Sequence, residues 1–109
     1  MNFKTHNDTD IDINMTSLQG HMTVDFQNLV KVFGESKTDL MDKTDAEWTI
    51  EFEDGTIASI YNYKTGHNYL GSSGTPVEKI IDWHIGGHNK KAFKLVWNAY
   101  KEKMENKDA

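Results

Sequence analysis

The chain has 109 residues, 37% of them hydrophobic and 11% aromatic, and its 12 Lys plus Arg against 17 Asp plus Glu leave a net charge of −5. That length holds one domain, residues 1–109, with a single modest core in which five Phe, four Tyr and three Trp supply much of the buried area. With no Cys, disulfides, thiolate chemistry and Cys-ligated zinc are excluded; with every basic residue a Lys, the bidentate forks that read guanine edges are missing, which argues against sequence-specific DNA binding.

No apolar run approaches the roughly 18–20 residues of a membrane span, and M-N-F-K-T-H-N-D lacks the apolar stretch of a signal peptide, so a cytoplasmic protein with no membrane partner is expected. A small domain without disulfides must be supported by packing or by a partner subunit, which is compatible with a homo-oligomer.

Residues 1–10 are polar and aperiodic and read as a disordered lead. Ile11, Ile13 and Met15 alternate with Asp12 and Asn14, the pattern of an edge strand. Thr23 reads as an N-cap for a helix with Phe26, Leu29, Val30 and Phe33 on one face, stopped by Gly34. After a polar connector over 35–44, Trp48, Ile50 and Phe52 alternate with Glu47, Thr49, Glu51 and Glu53, a strand with one apolar and one acidic face. Asp54-Gly55 reads as a two-residue type I′ turn that opposes Trp48 with Tyr61 and carries the apolar face on through Ile57, Tyr61 and Tyr63. Turn formers then dominate, with a short strand expected through Asn68 to Leu70. Ile81, Trp83 and Ile85 form another strand ending at Gly86-Gly87. Asn89 caps a last helix whose face is Phe93, Val96, Trp97 and Tyr100, fraying into a disordered 104–109. The order of elements predicts an α+β fold, an antiparallel sheet of about four to five strands with two helices packed on one face, and a core of Trp48, Ile50, Phe52, Phe93, Val96 and Trp97.

The sharpest chemical motif is W-H-I-G-G-H-N-K-K, residues 83–91. A strand-to-helix turn there would present the amides of Gly86, Gly87 and Asn89 to a phosphate, with Lys90 neutralising charge and His84 or His67 supplying a titratable group. His84 and His88 are spaced H-x3-H, but a Gly-Gly break separates them, so no metal site is assigned. Asp8, Asp10 and Asp12 open like a calcium loop, yet Ile13 and Gln19 stand where such a loop needs Gly and Glu. No catalytic constellation is complete, so no catalytic residue and no cofactor are assigned. Two surfaces suit a protein partner: the acidic face Glu47, Glu51 and Glu53, and the aromatics Tyr61, Tyr63 and Tyr69.

The blocks D-A-E-W-T-I-E-F-E-D-G-T-I-A-S-I-Y-N-Y-K-T-G and T-P-V-E-K-I-I-D-W-H-I-G-G together resemble a set of small proteins encoded by phages and prophages. The likeness covers about Asp45 to Gly87, and its W-H-I-G-G end is the most distinctive part. It implies a setting in which small accessory proteins bind a host enzyme, a defence complex or a signalling nucleotide, and it carries over no activity or residue role. The leading expectation is a non-catalytic accessory protein that binds and inhibits a host protein, as in anti-CRISPR or anti-restriction activity. The alternative is a protein that binds or hydrolyses a nucleotide or other phosphate ligand at the W-H-I-G-G-H-N-K-K turn.

Overall fold

The computed structural model describes residues 2–6, 13–38 and 43–106. Strands β1 (Phe3–Thr5), β2 (Ser17–Thr23), β3 (Glu47–Phe52), β4 (Ile57–Tyr61) and β5 (Asp82–Gly87) form one antiparallel sheet in the order β1-β3-β4-β5-β2. Helices α1 (Phe26–Phe33) and α3 (Lys90–Asn106) pack on one face, and the four-residue α2 (His67–Leu70) lies in the connection from β4 to β5. The fold is α+β, as the order of elements predicts. Among the described residues no helix is long and apolar enough to cross a membrane.

The central hairpin differs from expectation by one residue. Only Gly55 takes a positive φ, at 90°, so Asp54-Gly55 is not a type I′ turn. The Phe52 amide donates to Thr56 O at 2.9 Å and the Gly55 amide to Phe52 O at 2.8 Å, which closes a three-residue loop, Glu53-Asp54-Gly55, with glycine in the left-handed position that such loops require. Trp48 therefore faces Ile60 and Ile50 faces Ala58, while Tyr61 pairs with Glu47. Because side chains alternate with period two, this shift puts Ala58 and Ile60 in the core and turns Ile57 and Tyr61 to the opposite face.

The core centres on two fully buried indoles, Trp48 and Trp83, in edge-on contact at 5.5 Å, with Phe26 of α1 against both at 5.8 and 6.1 Å. Each indole N–H donates to a backbone carbonyl, Trp48 to Gly34 at 2.7 Å and Trp83 to Val24 at 3.2 Å. The two carbonyls flank α1, so these bonds satisfy the buried donors and hold both ends of that helix on the sheet. Trp97 is not in the core. The buried seam of α3 is Ala92, Val96, Ala99 and Tyr100, which leaves Trp97 beside it, 37% exposed and stacked flat on Tyr100 at 5.8 Å. Phe93 and Val96 pack inward as expected.

Five further expectations need correction. Phe3–Thr5, within the expected disordered lead, pairs with β3, anchored by Phe3 against Phe33 at 5.3 Å and Phe52 at 6.0 Å. At the other end α3 continues through Met104 to Asn106. Asn14 and Met15 form a turn rather than a strand, Met15 with φ 67°, and the strand follows at Ser17–Thr23, its register shifted around Gln19. Thr23 ends that strand, and Asp25 takes the N-cap position of α1. Asn68–Leu70 belong to α2, not to a strand. Ile11 and the Asp8, Asp10, Asp12 triplet lie outside the described residues.

The hairpin turn is tied to the start of α3 by an ion pair between Lys91 Nζ and Asp54 Oδ2. The hydrogen bond from Lys91, aided by the Thr56 amide, holds the Asp54 carboxyl down at about 2 against its ordinary 3.8. A folded-state value below the unfolded one means that the contribution to stability is in place above about pH 3.8 and is lost as pH falls through about 2. Carboxyl NMR titration should find the Asp54 midpoint near 2 and its return toward 3.8 in Lys91→Met. In urea unfolding, Trp48→Ala is expected to cost about 3–5 kcal/mol, whereas Trp97→Ala should cost less than about 2 kcal/mol.

Candidate functional site

On the face turned away from α1 and α3, the strand register lines up four chemically capable side chains. Glu47 of β3 stands opposite Tyr61 of β4, Tyr61 opposite His84 of β5, and His84 opposite His21 of β2. Directly opposed residues of antiparallel strands have Cβ atoms about 4.5–5.5 Å apart, so residues distant in sequence become neighbours in one row. Asp82, two positions before His84, joins them on the same face.

The distances show contact. The His21 and His84 rings meet edge-on at 4.6 Å, and Tyr61 and Tyr63 approach the His84 ring at 5.5 and 5.7 Å. His21 Nδ1 lies 3.8 Å from Asp82 Oδ1. One ligand atom from each of His21, Asp82 and His84 falls within 4.8 Å of the others. Partial burial, reinforced by the neighbouring His21, lowers the pKa of His84 from 6.5, against a smaller opposing pull from Asp82. His84 is therefore a neutral imidazole at pH 7, with a lone pair to offer. Burial raises Tyr61 above 10, with Glu47 and Tyr63 adding to the shift, so it remains a phenol.

The row continues past Tyr63. The Lys64 ammonium sits over both the Tyr63 ring, at 5.3 Å, and the Tyr69 ring, at 5.4 Å. Tyr63 and Tyr69 are 40% and 44% exposed, so these rings and the lysine stem between them form a continuous amphipathic surface. Asn62, fully buried, holds this end in place. Its Oδ1 accepts from the amides of Asp45 and Ala46 at 2.7 and 3.1 Å, and its Nδ2 donates to Asp45 Oδ1 and Thr65 Oγ1 at 3.0 and 3.2 Å. Asp45 also accepts the Asn68 amide at 3.1 Å, which joins the segment before β3 to α2.

The expected phosphate cradle takes a different form. Gly86 and Gly87 lie within β5, paired with Ser59 and Ala58 on one side and with Leu18 and Ser17 on the other, not in an open turn. Glycine is needed there for close packing: a Cβ on Gly87 would stand 2.3 Å from that of Ala92 on α3, and one on Gly86 would stand 2.7 Å from Ser59 Oγ. Asn89 does cap α3, its Oδ1 accepting the Lys91 amide at 2.9 Å, and Lys90 is exposed at the first turn. His67 Nδ1 bonds Gly71 O at 2.6 Å and His88 Nε2 bonds Asn14 O at 3.0 Å, so neither belongs to the cluster around His84.

The acidic strand face is also divided. Glu51 bonds His6 Nε2 at 3.1 Å, Glu53 accepts the Asn2 amide at 3.2 Å from the hairpin loop, and Glu47 lies beside Tyr61. Of the sequence candidates, Tyr61, Tyr63, Tyr69 and His84 are brought together. His21 is the member that sequence reasoning missed, because its strand has weak periodicity and no motif spacing links it to His84.

No protein-family model matches the chain, and no curated protein matches it.

Asn62→Ala would leave the buried amide of Ala46 and the half-buried amide of Asp45 without their acceptor, and is expected to cost about 2–4 kcal/mol in urea unfolding. Heteronuclear NMR of the variant should show the largest shift changes at Tyr63, Lys64 and Asn68 rather than in α1 or α3.

Proposed function

We propose that the protein is a small non-catalytic accessory protein that binds and inhibits a host protein, in a phage setting a defence factor, and that the sheet face bearing the tyrosines is its contact surface. The observation that carries this reading is the unbroken run Tyr61, His84, Tyr63, Lys64, Tyr69 on the face away from the helices. Tyrosine supplies a large, stiff contact area with a polar tip and is over-represented among the residues that dominate binding energy. Asn62 and Asp45 hold the backbone beneath it, so little conformational freedom would be lost on docking. The resemblance of residues 45–87 to phage and prophage proteins supports the setting. The net charge of −5 favours a basic partner surface, which long-range attraction would help to find.

The alternative, a phosphate ligand at the turn after β5, gains no specific support, since Gly86 and Gly87 are strand residues.

Affinity capture from host lysate, with untagged protein as competitor, tests the reading. Wild type and Trp97→Ala should retain one stoichiometric partner, because Trp97 lies on the helical side. Tyr63→Ala/Tyr69→Ala should lose it by roughly 30-fold or more, the equivalent of a hot-spot change above about 2 kcal/mol. No stoichiometric partner for wild type, or undiminished capture by the double variant, would overturn the proposal.

A further inference from the structure

We propose that His21, Asp82 and His84 form a binding site for one divalent transition-metal ion, zinc foremost, with a coordination position left open to solvent. The inference does not depend on a protein partner. His21 and His84 are register partners on β2 and β5, and Asp82 precedes His84 by two residues, so all three leave the same face of a paired ladder. β5 is paired on both sides, to β4 and to β2, which fixes the bases of the three side chains relative to one another.

The donor atoms are already gathered. One from each residue lies within 4.8 Å of the other two, and the His21 and Asp82 donors are 3.8 Å apart, beyond hydrogen-bond distance. Zinc bonds of about 2.0–2.2 Å to nitrogen and oxygen in tetrahedral geometry place ligand atoms roughly 3.3 Å from each other. Reaching that arrangement requires the His21 and Asp82 donors to close by about 0.5 Å and the widest pair by up to about 1.5 Å. The His21 and Asp82 side chains are 55% and 59% exposed and have the room to make that movement. Among the described residues, no hydrogen bond occupies the three side chains, in contrast to His67 and His88.

The donor set determines the class of ion. Two imidazoles and one carboxylate suit zinc and its first-row neighbours, whereas magnesium and calcium seek oxygen ligands throughout. Three protein ligands leave the fourth tetrahedral position to water or to a donor from a docked molecule, the open form of a zinc site. The proposal departs from the sequence expectation, which weighed His84 with His88 and the Asp8, Asp10, Asp12 triplet and assigned no metal site.

The test uses the full untagged chain, freed of metal with a chelator and titrated calorimetrically with zinc chloride, with magnesium chloride in parallel. One zinc per chain is expected, and no magnesium. His21→Gln, Asp82→Asn and His84→Gln should each weaken zinc binding by at least about tenfold, since even changes to groups behind the ligands cost 10–100-fold. His67→Gln and His88→Gln should leave it unchanged. The imidazole NMR signals of His21 and His84 should shift on zinc addition while those of His67 stay in place. At zinc 100 times the dissociation constant, the ratio of folded to unfolded protein should rise about 100-fold. His21 and Asp82 are exposed, so their variants should keep the wild-type circular-dichroism spectrum and melt. Absence of zinc binding, an affinity that survives His21→Gln and Asp82→Asn in folded protein, or a loss in His88→Gln would overturn the site.

Discussion

The register of the β3–β4 hairpin is the constraint on which the other arrangements depend. Gly55, at φ 90°, lets the chain turn in three residues rather than two, and that single residue decides which side of β4 is buried. Ala58 and Ile60 then complete the floor beneath Trp48 and Ile50, and β5 follows with Trp83 and Ile85 on the same side. The same choice turns Tyr61 outward, where β5 and β2 meet it with His84 and His21. Core and candidate site are thus two faces of one register. A slip by one residue would bury the phenol of Tyr61 and expose Ile60, which makes the alternative pairing unfavourable on both faces at once.

Two tryptophans convert the sheet into a support for the helices. Trp48 and Trp83 each project one indole N–H beyond the apolar layer to a carbonyl at one end of α1, so the helix is seated by two directional bonds as well as by Phe26, Leu29 and Phe33. Burial provides most of the energy, and the indole bonds set the position, because a slide of α1 along the sheet would leave two buried donors unsatisfied. Helix α3 is positioned by small residues instead. Gly87 and Ala92 let it approach the end of β5 closely, and Lys91 then reaches Asp54 across the hairpin turn.

How much of this was legible depended on whether the signal was local. Strands β3 and β4, helix α1 and the start of α3 have strong periodicity or capping residues, and their positions follow from the sequence. Strand β2 does not, since S-L-Q-G-H-M-T places a small residue, Gly20, at an inward position against the Phe93 ring and carries an extra residue at Gln19. The turn after Phe52 was ambiguous because Asp-Gly serves both a two-residue and a three-residue loop, and only the backbone angle of Asp54 separates them. Trp97 fell outside the core for a related reason. A helical face spans about 100°, and the i, i+3, i+4 pattern from Phe93 includes residues at its margin. His84 was visible as a chemically capable residue, but its partner His21 could be found only once β2 was known to lie beside β5.

The candidate surface is therefore a consequence of sheet order rather than of any motif. Across it, His21 and Asp82 lie toward the β2 edge, Tyr63, Lys64 and Tyr69 lie in the connection after β4, and His84 touches both groups. A metal ion drawn to the first group would fix the imidazole of His84 through one nitrogen, and Tyr61 and Tyr63 pack against that same ring. Fixing it would narrow the conformations open to Tyr63, so metal binding at one end would prepare the tyrosine surface at the other. Such coupling must be reciprocal: a partner that prefers the ordered tyrosines would tighten metal binding by the same factor by which the metal tightens the partner. Because, among the described residues, the two groups meet at His84, substitution of His21 can separate metal binding from the tyrosine contacts, whereas substitution of His84 perturbs both.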